Sequence, residues 1–485
     1  MAAGDVALIE HLLEYPPMTV LTDDKIAALK ALLLSTPPAT AGKLWALLER
    51  MKVQGVQSIP TGELLDAMRE AGIPSAFATG KAHTRILSFD RLFFEPFENL
   101  FESGPLHKLM PGSLPRVGLG PVWKLIIGQL APDAYVELEP LGTAASLRGD
   151  MGQARDYAQK MRIELLDNIQ DIPPERLSAL AKMPEAAHVL GRLIALLSAE
   201  KAGREIWTGV QSLRGDMHEQ SILRLATAVK EAENVNPQTA TEILLLTMSI
   251  LPKPYQALRV LQRVSRGVDD RKIDTTHFSV VGRRVIALLR REGAVIEHAA
   301  LGGAFDVEAV KAAIDRHNKL VHGMTRATIL SPNGPWRQEL TSICGQVGSR
   351  LEMICHAAVK VLDQSLPMDM VRKKNAGMLT EPRYGAPVDH AKVDVARCHM
   401  QFLVATRLLA PLAGFGGFRD NASRTCAGQL VAVCEGLVRV AREGETSPHF
   451  QDWIEATSAL INALDGPLPA KNFERRIGAL IRKAA

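Results

Sequence analysis

The hexapeptide Ser-Leu-Arg-Gly-Asp-Met occurs twice, at residues 146–151 and 212–217. It reads as the end of one helix followed at once by the start of another. Gly149 and Gly215 suit the position just past a helix C-terminus, where the chain turns left-handed and a Cβ is unwelcome. Asp150 and Asp216 suit the N-cap, where a short carboxylate accepts amide hydrogens that the first turn leaves unpaired. The embedded Arg-Gly-Asp is therefore read as a turn between helices. Helical hairpins are expected to begin near 151, 184, 216 and 254, a spacing that suggests stacked helix pairs.

The same punctuation extends outward in both directions. Asp23-Asp24 precedes Ile26, Leu29 and Leu33, and Thr36-Pro37 precedes Leu44, Leu47 and Leu48. Asp171-Ile172-Pro173-Pro174, Asn236-Pro237 and Ser447-Pro448 each stand before a run with apolar residues at helical spacing. A proline in the first turn loses nothing, because its missing N–H would be unpaired there anyway. Only Tyr135 to Leu138 looks briefly strand-like. The fold class read from this pattern is all-α and multi-helical, with solenoid-like helical hairpins in the middle and flanking helical bundles.

Two stretches interrupt the pattern and are expected to be boundaries. Residues 103–121 hold four prolines and four glycines, and residues 367–387 hold three prolines, two glycines and the basic run Arg372-Lys373-Lys374. The expected organisation is an N-terminal helical domain over 1–102 and a linker over 103–121. A hairpin region over 122–275 and a further helical region over 276–366 follow. A second linker over 367–387 then leads to a C-terminal bundle over 388–485.

The composition of this 485-residue chain excludes several classes. It is 47% hydrophobic and 23% charged, with a net charge of +4, so it is neither a histone-like polycation nor an acidic tail protein. The N-terminus lacks the basic region of a secretory signal. The nearest approach to a spanning segment, Leu408 to Phe418, is short and broken by Pro411 and three glycines. The five cysteines, Cys344, Cys355, Cys398, Cys426 and Cys434, are too few and too oddly numbered for a disulfide framework. The expected location is the cytoplasm, with no integral membrane segment.

Three constellations carry the functional expectations. Phe89, Phe93, Phe97 and Phe101 step by four, which on one helix makes a single stripe, and they are the candidate partner-binding residues. Pro96 is expected to end or kink that helix. Arg259 to Arg291 carries nine basic and three acidic residues, a local charge of +6 against −2 for the remaining chain. Within it Arg259, Arg263, Arg266, Arg283, Arg284, Arg290 and Arg291 are the candidate nucleic-acid contacts, able to neutralise phosphates. Phe278 is the one phenylalanine in the stretch, which holds no tyrosine or tryptophan, so base stacking would be slight and such binding weakly sequence-specific. A second basic cluster, Lys471, Arg475, Arg476, Arg482 and Lys483, closes the chain.

The third constellation is Arg316-His317-Asn318-Lys319-Leu320-Val321-His322-Gly323. It resembles the Arg–polar–four–His signature of the HEPN superfamily, whose members are all-α, often dimerise and, when active, cut RNA without a metal. The resemblance covers eight residues. It implies that Arg316 steadies the phosphate and His322 acts as general acid–base, with His317 and Asn318 supporting. Read on helix geometry alone, Val310, Ile314, His317 and Val321 share an apolar face while His322 lies on the polar side, and Gly323 is a candidate helix end. Cys355-His356, Cys398-His399 and the pair Cys426 and Cys434 lack zinc-knuckle spacing, so no metal and no cofactor is expected. The expected function is a non-enzymatic cytoplasmic scaffold or adaptor that binds protein partners, with self-association left open. The alternative is an HEPN-like RNA-binding protein or metal-independent endoribonuclease.

Overall fold

Helices begin in this protein where short polar side chains can close their first turn. In the computed structural model Asp150 Oδ1 accepts the Gln153 amide at 3.0 Å, and Asn236 Oδ1 accepts that of Gln238 at 2.9 Å. Asp269, Asp306 and Asp389 do the same for Lys272, Ala309 and Lys392. Prolines open helices at Pro132, Pro174, Pro184, Pro237, Pro335 and Pro467. The structure describes residues 26–27, 29–30, 48, 60–70, 87–211, 217–373, 377–444 and 447–484. It is 77% helical, with 18 helices among the described residues, so the chain is all-α and multi-helical. The first copy of the repeated hexapeptide forms the expected junction, with Gly149 at φ +81°. Of the second copy, 212–216 lies outside the described residues, as do the expected starts at Asp23-Asp24 and Thr36-Pro37.

The described chain divides into two compact units, residues 1–98 with 115–197, and residues 99–114 with 198–485. The first contains α1 (Thr61–Glu70), α2 (Phe89–Phe94), α3 (Leu119–Leu125), α4 (Pro132–Leu147), α5 (Met151–Ile169), α6 (Pro174–Ala179) and the start of α7 (Pro184–Gln211). Tyr135 to Leu138, read as strand-like, lies within α4. Trp123 stands at the centre of an aromatic cluster, 5.3 Å from the Phe93 ring, 6.0 Å from Phe94, 6.4 Å from Phe89 and 5.7 Å from Tyr135. Gly142 lets α4 approach Phe89, since a Cβ there would lie 2.5 Å from the ring. Arg162 on α5 is buried and donates to the carbonyls of Leu92 and Phe93 at 3.1 and 2.9 Å, satisfying the frayed end of α2.

The phenylalanine stripe is core. Phe89, Phe93, Phe97 and Phe101 are all buried, so they present no partner-binding surface. The α-helix stops at Phe94, one residue before Glu95 and Pro96, and Phe97 follows in a tighter 3₁₀ turn. Phe101 falls in the second unit, outside the helix that carries Phe89 and Phe93.

The second unit holds the end of α7, then α8 (Glu219–Val235), α9 (Pro237–Ile250), α10 (Ala257–Val264), α11 (Asp270–Ile273) and α12 (Ser279–Glu297). After these come α13 (Val307–Ala327), α14 (Pro335–Ser365), α15 (His390–Ala405), α16 (Gly416–Glu443), α17 (Phe450–Asp465) and α18 (Pro467–Ala484). From α12 onward each helix packs on the next but one and, α13 with α14 aside, on the next. Helices α12, α14, α16 and α18 form one row and α13, α15 and α17 the other, which is how stacked helix pairs bury a continuous core. The two-row stack therefore runs through 279–484, the stretch read as a separate helical region and a C-terminal bundle.

Both proline- and glycine-rich stretches are built into this packing. β1 (Phe101–Glu102) and β2 (Leu114–Pro115) bracket the first of them. Gly112, at φ +76°, approaches Leu245 so closely that a Cβ would come within 2.7 Å. Residues 367–387, read as a linker, carry an antiparallel hairpin of β3 (Met368–Lys373) and β4 (Gly377–Pro382), paired from Met368↔Pro382 to Lys373↔Gly377. β4 lies on α16, where Gly436 leaves room for the Pro382 ring. Its alternation of apolar and charged residues is weak, which hides the strands from periodicity.

One buried carboxylate organises the start of the stack. Asp270 is 0% exposed; its Oδ1 accepts the Ser331 amide at 2.8 Å, and Oδ2 those of Trp336 at 3.1 Å and Arg337 at 3.3 Å. It thus caps α14 from a different element, at the end where the helix dipole favours negative charge. Gly334 makes room, since a Cβ there would stand 2.0 Å from both oxygens. Asp270→Ala strands three amide donors and is expected to destabilise the fold by about 3 kcal/mol. Asp270→Asn, which keeps an acceptor, should lose less. Equal chemical denaturation midpoints for Asp270→Ala and wild type would rule this capping role out.

Candidate functional site

Asp306 caps α13, and its apolar residues Val310, Ile314, Leu320 and Met324 are buried, which fixes the rotation of the helix about its axis. That rotation decides where the eight-residue motif points. Arg316 projects toward α12 and pairs with Glu292, Nε to Oε2 at 2.9 Å and Nη2 at 2.8 Å. Glu292 is buried, so the guanidinium supplies the charge that lets this carboxylate leave water. His317 is buried on the apolar face, and burial pushes its pKa down against the opposing pull of Glu292. His322 is exposed, and Asn318 is half-buried.

The helix does not end at His322. Gly323 lies inside α13, where it admits the Tyr255 ring; a Cβ would come within 2.4 Å of it. Arg316 and His322 are therefore about 9 Å apart along a continuous helix and roughly 120° apart around it. One chain does not bring them together, and Arg316 is engaged by Glu292.

The arginine-rich stretch is similarly divided. Arg283 forms a two-pronged pair with Asp274, both bonds at 3.0 Å. Burial pushes the Asp274 carboxyl up, but bonds from Arg283 and the Trp336 indole outweigh it and hold the group below the ordinary carboxylate value. Arg290 pairs with Glu339 at 2.6 Å. Arg284 is buried and donates to the Pro111 carbonyl at 3.1 Å and to Ser113 Oγ at 2.8 Å, pinning the 99–114 segment to α12. It offers no contact to a nucleic acid. Arg291 is exposed.

Arg259 and Arg263 converge on Glu219 of α8, and with Arg266 they line a cavity of about 420 Å³. This is the group of predicted site residues that the structure does assemble. Glu219, which also lines it, carried no sequence signal, because it lies forty residues before Arg259.

Other reactive groups are spoken for. Burial pushes the thiols of Cys355, Cys426 and Cys434 up to about 12, which keeps them protonated at neutral pH. Among the described residues no group of three or more His, Cys, Asp or Glu side chains could hold a metal ion. His399 is 0% exposed, with its ring 5.1 Å from Phe305.

Two expectations follow from this arrangement. Arg316→Ala leaves Glu292 buried without its cation and should lower stability by about 1–3 kcal/mol, with Glu292→Gln in the same chain restoring part of the loss. A chemical denaturation double-mutant cycle reads this; additive effects would show that the pair is not coupled. The second concerns pH. Burial lowers the pKa of His277, His317 and His399, so the folded state takes up these protons less readily than the unfolded chain. Their contribution is whole above the unfolded value of about 6.5 and is lost as pH falls below it. Thermal unfolding followed from pH 7.5 to 5 should show that decline, and His317→Leu should make it shallower. A pH-independent midpoint would contradict the assignment.

Comparison with known proteins gives no match to any family model, curated protein or solved structure.

Proposed function

We propose that this chain is a non-enzymatic helical scaffold that binds a protein partner in the cytoplasm, and that the turn between α15 and α16 is where it does so. The carrying observation is an ordered apolar corner left facing outward. Leu408 is 84% exposed and Leu412 62%, with Val404 and Phe418 also exposed. Phe418 belongs to α16, and its ring stands 6.2 Å from His356 of α14.

This corner is held in place from beneath. Phe415 is buried and stacks on Phe402 with ring centroids 6.4 Å apart. The Ala410 amide bonds to the Thr406 carbonyl at 2.8 Å, and the Phe415 amide to that of Ala410 at 3.0 Å. Arg419 Nε donates to the Leu403 carbonyl at 2.7 Å, while Gly414 supplies the left-handed turn at φ +79°. The backbone is thus ordered before any partner arrives, which lowers the entropy cost of binding. Clustered exposed apolar side chains on a fixed frame are the physical signature of an interaction surface.

The charge beside the corner defines the partner. Arg407 is exposed and makes no ion pair with a described residue, whereas the nearby acid, Asp420, is paired with Arg419 at 2.6 Å. The fitting partner is an amphipathic protein segment whose apolar residues cover the two leucines and whose acidic residue meets Arg407. No helix among the described residues is long and apolar enough to cross a membrane.

Affinity capture from native lysate with wild type and a Leu408→Asp/Leu412→Asp variant, followed by titration of the recovered partner, tests this reading. The variant should keep its helical circular dichroism and bind at least about tenfold more weakly, the loss expected when two anchor side chains are replaced by charge. Capture of nothing by wild type, or equal binding by the variant, would reject it.

A further inference from the structure

The cavity beneath Arg259, Arg263 and Arg266 has a backbone feature that packing does not require. Helix α10 ends at Val264, and the amide of Gly267 returns to the Gln262 carbonyl at 2.9 Å, closing the helix end in a Schellman-type turn. The left-handed residue that this turn demands is Arg266, at φ +54°, the non-glycine residue with positive φ among those described. Glycine is the usual occupant, because an L side chain in this conformation is strained. Gly267 follows at φ +74°, so the glycine stands one residue beyond the position that would most relax the turn. Arg266 is exposed, and its side chain lines the cavity, so nothing buried repays the strain. Strain retained at a cavity edge is a reason to ask what the side chain binds.

The charges answer by class of ligand. Arg259 Nη2 reaches Glu219 at 3.2 Å, and Arg263 bonds the other oxygen of the same carboxylate. Two guanidinium groups share one negative charge, and Arg266 makes no ion pair with a described residue, so the lining carries a net charge of +2. A carboxylate ligand would leave one positive charge unmatched, whereas a phosphomonoester dianion balances both. Ile222 lies on the wall, an apolar surface suited to the carbon portion of such a ligand. The volume of about 420 Å³ falls in the range of pockets for small molecules.

We infer that this cavity is a binding site for a small phosphorylated organic compound, held by Arg259, Arg263 and the strained Arg266. The site shares no residue with the apolar corner and stands on separate observations. Arg266 presents its guanidinium to the phosphate, Arg259 and Arg263 turn partly from Glu219 toward it, and Gln262 lies within the same lining.

Strain and binding make opposite demands on one residue, which supplies the test. Arg266→Gly relaxes the turn, so the variant's melting temperature should rise by about 2 °C. In calorimetric titrations of the full chain, wild type should bind glycerol phosphate saturably and more tightly than inorganic phosphate, and acetate should give no saturable heat. Arg266→Gly should weaken glycerol phosphate by at least about tenfold, the cost of losing one charge-assisted contact. Arg442→Ala, at an exposed arginine of α16 outside the cavity, should leave binding unchanged. No saturable binding of glycerol phosphate by wild type up to about 10 mM, or undiminished binding by Arg266→Gly, would overturn the proposal. Equal affinity for the two phosphates would overturn the organic ligand. Binding of a single-stranded RNA oligonucleotide that depends on Arg266, without saturable binding of either small phosphate, would assign the cavity to a nucleic-acid backbone instead.

Discussion

The carboxylate of Asp270 joins a helix of four residues to one of thirty-one, and much of the second unit depends on that junction. A carboxyl group with no exposure to water is tolerable only where donors replace the lost hydration. Here the donors are the amides that open α14, groups that would themselves be orphaned at a buried helix end. Each side thus removes the other's penalty. Helix α14 then packs on α11, α12, α15 and α16, so the angle at which it leaves Asp270 sets where both rows of the stack can lie. Gly334 at the cap and Gly282 under the Trp336 ring are two places where a Cβ would push these elements apart.

Charge in this protein serves mainly to hold elements together. The excess of positive charge between Arg259 and Arg291 suggests a polyanion-binding face when read along the chain. In the fold, Arg283 and Arg290 face acids on neighbouring segments, and Arg284 turns inward to carbonyl and hydroxyl oxygens of residues 111 and 113. Surface pairs of this kind contribute little individually, typically below 1 kcal/mol, but they cancel the field a partner would feel at a distance. Among the charge left unmatched are three arginines against one glutamate around a cavity, and Arg407 beside exposed leucines. Proposed ligand and proposed partner therefore engage different features of the same unit.

The legible and illegible parts of the fold differ by the range of the interactions involved. Asp150 with Gly149, Asn236 with Pro237, and the other proline starts are readable because each acts within one turn of itself. The phenylalanine stripe misleads because spacing by four says which residues could share a face, not whether the helix survives Pro96 to present it. Gly323 misleads in the same way. A glycine after a histidine looks like a helix end, yet Tyr255, sixty-eight residues earlier, packs into the space it leaves. The β3–β4 hairpin escapes notice because its sequence is proline- and glycine-rich like a linker, while its place depends on Gly436 of α16.

Sequence by itself showed that this chain is helical, where several of its helices start, and that its positive charge is concentrated in one stretch. These follow from hydrogen bonds and side-chain spacing inside single turns, which need no distant partner. The fold decided which charges are spent on neighbours, that Gly323 lies inside its helix, and that Arg316 belongs to Glu292. It alone also showed the leucines of the α15–α16 turn facing outward and Arg266 strained over a cavity. The physical reason is that exposure and pairing belong to the space around a side chain, and that space is filled by residues tens or hundreds of positions away.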